Sequence, residues 1–258
     1  WFRPEHAQIF VVGDTTLAEV VRLLEARFGD WPRSGVSGPR KAIDQPVPQS
    51  AERVILIDRP ASPQSVIVAG KVLRAKGTDD ELALVSANDI LGGNFLGRIN
   101  MNLRETKGWS YGAYSRLSQP LGQSLFRVSA PVQADRTGDS IKEIRGEIAR
   151  FLTSDGVKAD ELEWSTNGSA RELPGSFETS GDVLGGIASI VTYRRPDDYY
   201  EQLATRYKAM TTAGLDQALR EQLGKGELVW VVVGDAQKVR PQLDALGLPV
   251  EVRKGPGQ

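Results

Sequence analysis

The stretch "ILGGNFLGRINMNLRETKGWSYGAYS", Ile90 to Ser115, holds the reading on which the fold turns. Leu96, Ile99, Met101 and Leu103 recur at roughly helical spacing, and Arg104, Glu105 and Lys107 are good helix formers. The spacing predicts a helix over 95–107 that stops at Gly108, a residue suited to a left-handed C-terminal cap. Tyr111 to Leu117 then has the aromatic content and loose alternation of a strand. The same stretch also fits G-x-S-x-G at Gly108-Trp109-Ser110-Tyr111-Gly112, the pattern in which a serine hydrolase displays its nucleophile. That device needs a strand entering the turn and a helix leaving it, and here the order is reversed. A base is lacking as well: the single histidine, His6, stands upstream of the serine, opposite to the chain order of that fold. Ser110 is therefore read as a bystander in a turn.

Composition narrows the field. A chain of 258 residues with 40% apolar content can bury a proper core. Its net charge of −1 gives no bulk electrostatic reason to bind nucleic acid or an anionic membrane surface. No apolar run approaches the roughly twenty residues of a membrane span, and Trp1-Phe-Arg-Pro lacks the shape of a signal peptide. The absence of an initiator methionine points to a fragment or a processed chain. With no cysteine, disulfides, thiolate metal sites and a cysteine nucleophile are excluded, while cytoplasm and periplasm both stay open, the periplasm slightly favoured.

One phrase occurs twice. "AQIFVVG", Ala7 to Gly13, reads as a buried strand, and Thr16-Leu-Ala-Glu19 makes a capping box for a helix with Leu17, Val20, Val21, Leu24 and Phe28 on one face. Near the other end Val232-Val233-Gly234-Asp235 again precedes a helix, as Val11-Val12-Gly13-Asp14 do. Two copies of one closing unit imply two related domains, so residues 1–32 read as the tail of a preceding homologous domain. Strand-Gly-Asp-helix junctions are also common in α/β proteins, which is the plainer account. Residues 33–52, rich in Pro, Gly and Ser, read as a linker. Residues 53–258 read as a complete domain: strands at "RVILID" and "PQSVIVAGKVLR", and a helix begun by Thr78 with Asp79, Asp80 and Glu81 in its first turn. A strand pair follows over 111–117 and 124–132, then a helix with Ile141, Ile144, Ile148 and Phe151 on one face. Helices fill most of 158–223 before the closing strand "ELVWVVVGD". Strands at both ends with helices gathered between them predict an α+β fold, an antiparallel or mixed sheet covered on one face by helices.

Two ligand sites fail on spacing. "GGNFLGR", Gly92 to Arg98, has the glycine spacing of a phosphate loop, but Arg98-Ile99 stand where Lys-Ser/Thr is required and a helix precedes instead of a strand. Catalytic zinc normally takes three protein ligands including His or Cys, which one histidine cannot supply. Arg104 and Tyr111 remain. An arginine at a helix end and a tyrosine past the turn can project to one side, offering fork donors and a phenolic hydroxyl. The plainer alternative is that Arg104 caps its helix and Tyr111 packs in the sheet.

These segments resemble the pitrilysin-type zinc peptidases, a family that includes insulin-degrading enzyme, mitochondrial processing peptidase and the core proteins of the respiratory bc1 complex. "IFVVGDTTLAEVVRLLEARFGDWP" is similar to the end of one domain of that family and its exit to the linker. "ILGGNFLGRINMNLRETKGWSYGAYS" is similar to the glycine turn, the Leu-Arg-Glu helix and the Gly-x-x-Tyr strand entry of the next. The family's inverted zinc motif, H-x-x-E-H, is missing, so the resemblance implies the C-terminal non-catalytic domain. No cofactor is then expected in this chain, and zinc is expected in a partner catalytic domain of the same or another polypeptide. The resemblance further implies that Arg104 and Tyr111 bind peptide substrate, reaching across a chamber toward the peptide held by that domain. A scaffold subunit that keeps the fold for assembly alone is the other reading it allows.

Overall fold

The computed structural model describes residues 3–33, 35 and 41–255. Strand β1 (Arg53–Asp58), strand β2 (Gln64–Lys76) and helix α2 (Leu82–Asn88) come first. Helix α3 (Arg98–Asn100), strands β3 (Tyr114–Ser118) and β4 (Gln123–Gln133), and the long helix Thr137–Leu152 follow. The six-stranded sheet runs β3-β4-β2 and then, through the closing strand Val229–Gly234 and β1, to an edge strand at Val250–Lys254. β1 is parallel to both of its neighbours, whereas β2 is antiparallel to β4 and to the closing strand, so the sheet is mixed.

The inward face of the sheet follows from alternation. Leu56, Val232, Ile67 and Ala130 stand side by side across four strands, and Val54, Trp230, Ala69 and Val128 form the next inward row; all eight are fully buried. Helix α4 (Thr137–Leu152) lays Ile141, Ile144, Ile148 and Phe151 on these rows, the 3-4-3 spacing that keeps side chains on one helical face. After α5 (Ala159–Glu172), α6 (Ser180–Tyr193) and α7 (Tyr199–Lys208), helix α8 (Thr212–Leu223) adds Leu215, Leu219 and Leu223. Beyond β5 (Val229–Gly234), helix α9 (Ala236–Asp244) adds Val239 and Leu243, with Asp235 capping its first turn through the Gln237 N–H. The chain is α+β with a mixed sheet covered by helices on one face, as the sequence predicts. The edge strand β6 (Val250–Lys254) escapes the sequence reading because four of its five residues are exposed and it carries no buried run.

Three boundaries differ from expectation. Residues 78–81 do not begin a helix: Asp79 accepts from the Lys76 N–H and donates its own N–H back to the Lys76 carbonyl, closing a turn after β2. Asp80 pairs with Arg206, and α2 starts only at Leu82. The helix expected from Phe95 begins at Arg98. Leu96 and Met101 are exposed, so the buried stripe is reduced to Ile99 and Leu103. Among the described residues, 7–13 have no strand partner and run outside the sheet; a strand needs a ladder, and none is offered there to Ile9 and Val11, which are exposed. The Thr16–Glu19 capping box does form, starting α1 (Leu17–Phe28), yet no residue of that helix is buried and Leu17 is 80% exposed.

Within residues 33–52, read from the sequence as a linker, the described part is tied to the sheet. Asp44 pairs with Lys76 at 2.8 Å, Gln123 accepts the Val47 N–H, and the Gln49 amide donates to the Val72 carbonyl. Residues 34 and 36–40 of the linker lie outside the described residues.

Candidate functional site

The region around Arg104 is built from wide helical turns. α2 runs on through Asp89–Gly93, where the Asn94 N–H reaches back five residues to the Asp89 carbonyl. α3 runs on through Met101–Thr106, where the Lys107 N–H reaches the Asn102 carbonyl. Such widened turns re-aim side chains and gather at functional sites. Between them the backbone closes so tightly that a Cβ on Gly97 would lie 2.6 Å from the Gly92 Cα, which is why glycine stands there. Gly108 takes φ +67° and ends the helix, its N–H bonded to the Arg104 carbonyl.

Arg98 explains the glycine spacing that imitates a phosphate loop. Its guanidinium grips Glu161 in bidentate fashion at 2.6 and 2.7 Å and donates to the carbonyls of Asp155 and Gly156, with Phe151 beneath it. The fork is spent on pinning α3 to α5 and the loop before it.

Beyond Gly108 the chain is braced at each residue. Trp109 donates its N–H to the Leu103 carbonyl and accepts from Gln133, and its ring lies between Lys107 and Arg136 at 5.3 and 5.7 Å. Ser110 pairs with Val132 in an isolated bridge. Its hydroxyl accepts the Gly112 N–H and lies 2.6 Å from the Pro131 carbonyl. The hydroxyl is therefore occupied in holding the turn to β4, with no histidine beside it.

Tyr111 is not packed in the sheet. It precedes β3, is 88% exposed, and its hydroxyl makes no hydrogen bond among the described residues. Arg104 does not cap its helix either: its Nε lies 3.3 Å from Glu105, and its guanidinium stacks on the Phe95 ring at 4.7 Å. The two side chains do not bond each other; they share one braced connection, Tyr111 with its hydroxyl open and Arg104 paired through Nε with the neighbouring Glu105. Sequence reasoning missed Phe95 and Asn100. The available signal was a polar Asn100 between Ile99 and Leu103 in the buried stripe, a place that requires partners.

A titrating group opens the first of the widened turns. Burial, its largest cause, and the Glu172 carboxylate push the Asp89 carboxyl up from 3.8 to about 6. The raised value means that the folded state prefers the neutral acid. The penalty is therefore absent below about pH 4, grows between 4 and 6 and is complete above 6. Asp89→Asn is expected to gain stability over wild type as pH rises from 4 to 7, on the order of 2 kcal/mol at the top. Urea midpoints of both proteins across that range check it; parallel curves would contradict it.

Comparison with known proteins adds what geometry alone does not. The description "Peptidase M16 inactive domain" matches residues 1–166. The chain belongs to the M16 inactive-domain family. An uncharacterized zinc protease of Streptomyces coelicolor is 26% identical to this M16 domain over 87% of the chain and 49% of its own length. The M16 chain thus spans about half the length of that relative. Among solved structures, the peptidase M16 inactive domain of Pseudomonas fluorescens is similar with TM-score 0.74 at 22% identity, over 86% of this chain and 52% of that one. The periplasmic protease PqqL of Escherichia coli is similar with TM-score 0.64 at 16% identity, over 86% of this chain and 24% of that one. A zinc ion, which the family implies, finds no fitting donors in this M16 domain. It has one histidine and no cysteine, and among the described residues no three His, Cys, Asp or Glu side chains gather. No helix among the described residues is long and apolar enough to cross a membrane.

Proposed function

We propose that this chain binds extended peptide and helps to stabilise the transition state of its hydrolysis for a catalytic M16 domain in the same or a partner polypeptide, where the zinc is expected. The observation that carries this reading is the exposed Tyr111, unbonded among the described residues and held on a turn braced by Trp109 and Ser110, one connection beyond an Arg104 that lies on the Phe95 ring and is paired only through Nε with the neighbouring Glu105. An aromatic side chain kept in water by so many braces is stabilised when another surface meets it. Arg104 offers planar donors to a peptide carbonyl, and Tyr111 offers a hydroxyl to the oxygen that becomes negative as the peptide bond is attacked. We further assign residues 1–32 to the tail of a preceding homologous domain. The exposed apolar residues Ile9, Val11, Leu17, Leu23 and Phe28 support this, since the domain beneath leaves them uncovered.

In the enzyme assembled with its catalytic domain, Arg104→Ala is expected to raise KM and lower kcat together, roughly tenfold in kcat/KM for one lost charge-assisted bond. Steady-state hydrolysis of an internally quenched peptide measures it. Unchanged constants would remove Arg104 from the site and leave assembly as the remaining role.

A further inference from the structure

Arg104 has a long, flexible side chain that the partly exposed Glu105 pairs at 3.3 Å, and such a guanidinium loses rotamer freedom when it binds. Its setting counters that loss. Phe95, itself half exposed, places its ring 4.7 Å from the Arg104 Cζ, and no core contact explains an aromatic residue at that point. The backbone of Phe95 is fixed on both sides. Asn94 accepts the Leu96 N–H with its side chain and the Gly97 N–H with its carbonyl. Asn100, fully buried, donates its amide to the Phe95 carbonyl at 2.8 Å. The other end of the same amide accepts the Ala113 N–H at 3.1 Å, two residues after Tyr111. One buried amide thus ties the shelf under Arg104 to the strand entry that carries Tyr111, and only one orientation of that amide satisfies both partners.

We infer that Phe95 is a positioning residue for Arg104: its ring holds the guanidinium in place for the peptide, with Asn100 holding the ring in register with the Tyr111 turn. The inference rests on the substrate-binding role of Arg104. It calls for Phe95→Leu, which keeps apolar bulk and removes the π face, and for Phe95→Tyr, which keeps the face. Because Phe95 is half exposed, neither should shift the urea midpoint. With the internally quenched peptide and the assembled enzyme, Phe95→Leu is expected to raise KM about two- to fivefold, the range of an exposed cation–π contact, and Phe95→Tyr to leave it unchanged. In the Arg104→Ala background Phe95→Leu should add nothing, because the ring acts only through the arginine. An equal further rise in that background overturns the inference, as does a wild-type KM for Phe95→Leu when Arg104→Ala raises it. If Arg104→Ala itself leaves KM unchanged, the substrate-binding role falls first and this inference with it.

Discussion

Tyr111→Phe is expected to cut turnover about a hundred- to thousandfold in the enzyme assembled with its catalytic domain, with KM nearly unchanged. Among the described residues the phenol makes no hydrogen bond, so its removal leaves no donor or acceptor unpaired there and the urea midpoint should not move. The ring stays, so ground-state packing on a peptide stays too. What is lost is one donor already in place where negative charge grows on the carbonyl oxygen, and an interaction made mainly in the transition state shows in kcat. Ser110→Ala provides the contrast. Its hydroxyl faces Pro131 and Gly112 inside the turn, so its loss costs about 1 kcal/mol of stability and leaves most of the turnover. The opposite ordering, with Ser110→Ala inactive and Tyr111→Phe silent, would reopen the serine-hydrolase reading of the same five residues.

The largest stability effect is expected at Arg98. Its side chain is only 10% exposed and that of Glu161 only 14%, so removing the guanidinium leaves a carboxylate in a poorly solvated place together with two carbonyls that lose their donors. Breaking such a pair from one side typically costs about 3–5 kcal/mol, and Arg98→Ala should lower folding stability by that amount in urea denaturation. Removing both charges with apolar residues of similar size should recover much of the loss, because no stranded charge remains. A cost below about 1 kcal/mol for Arg98→Ala would mean that water reaches the pair and that the α3–α5 junction is held by packing alone.

What the sequence made legible followed periodicity. The strands β1, β2, β4 and β5 could be read from their apolar, β-branched runs and the stripe of α4 from its 3-4-3 spacing, while which strand residues face inward came from the pairing. Gly108 was legible because few residues tolerate its backbone angle. Spacing failed where local hydrogen bonds compete with it. Asp79 closes a turn in place of starting a helix, Leu96 lies in the turn before α3, and the widened turn at Met101–Thr106 breaks the 3.6-residue period, so Leu96 and Met101 fit by spacing a stripe from which they are turned out. The positions of Arg104 and Tyr111 came from a motif, and their surroundings could not. Phe95 beneath the arginine and Asn100 between the two segments depend on a chain closure that no single period encodes.

The central claim, that Tyr111 meets the peptide during hydrolysis, is tested most directly by placing a photo-cross-linking phenylalanine analogue at position 111 in the assembled enzyme. A fluorescein-labelled peptide is then irradiated in its presence, with position 116 on the open face of β3 as the control. The account predicts a covalent peptide adduct from position 111, suppressed by excess unlabelled peptide, and none from position 116. No adduct at 111 under saturating peptide, with the same enzyme still retaining the labelled peptide, would contradict it.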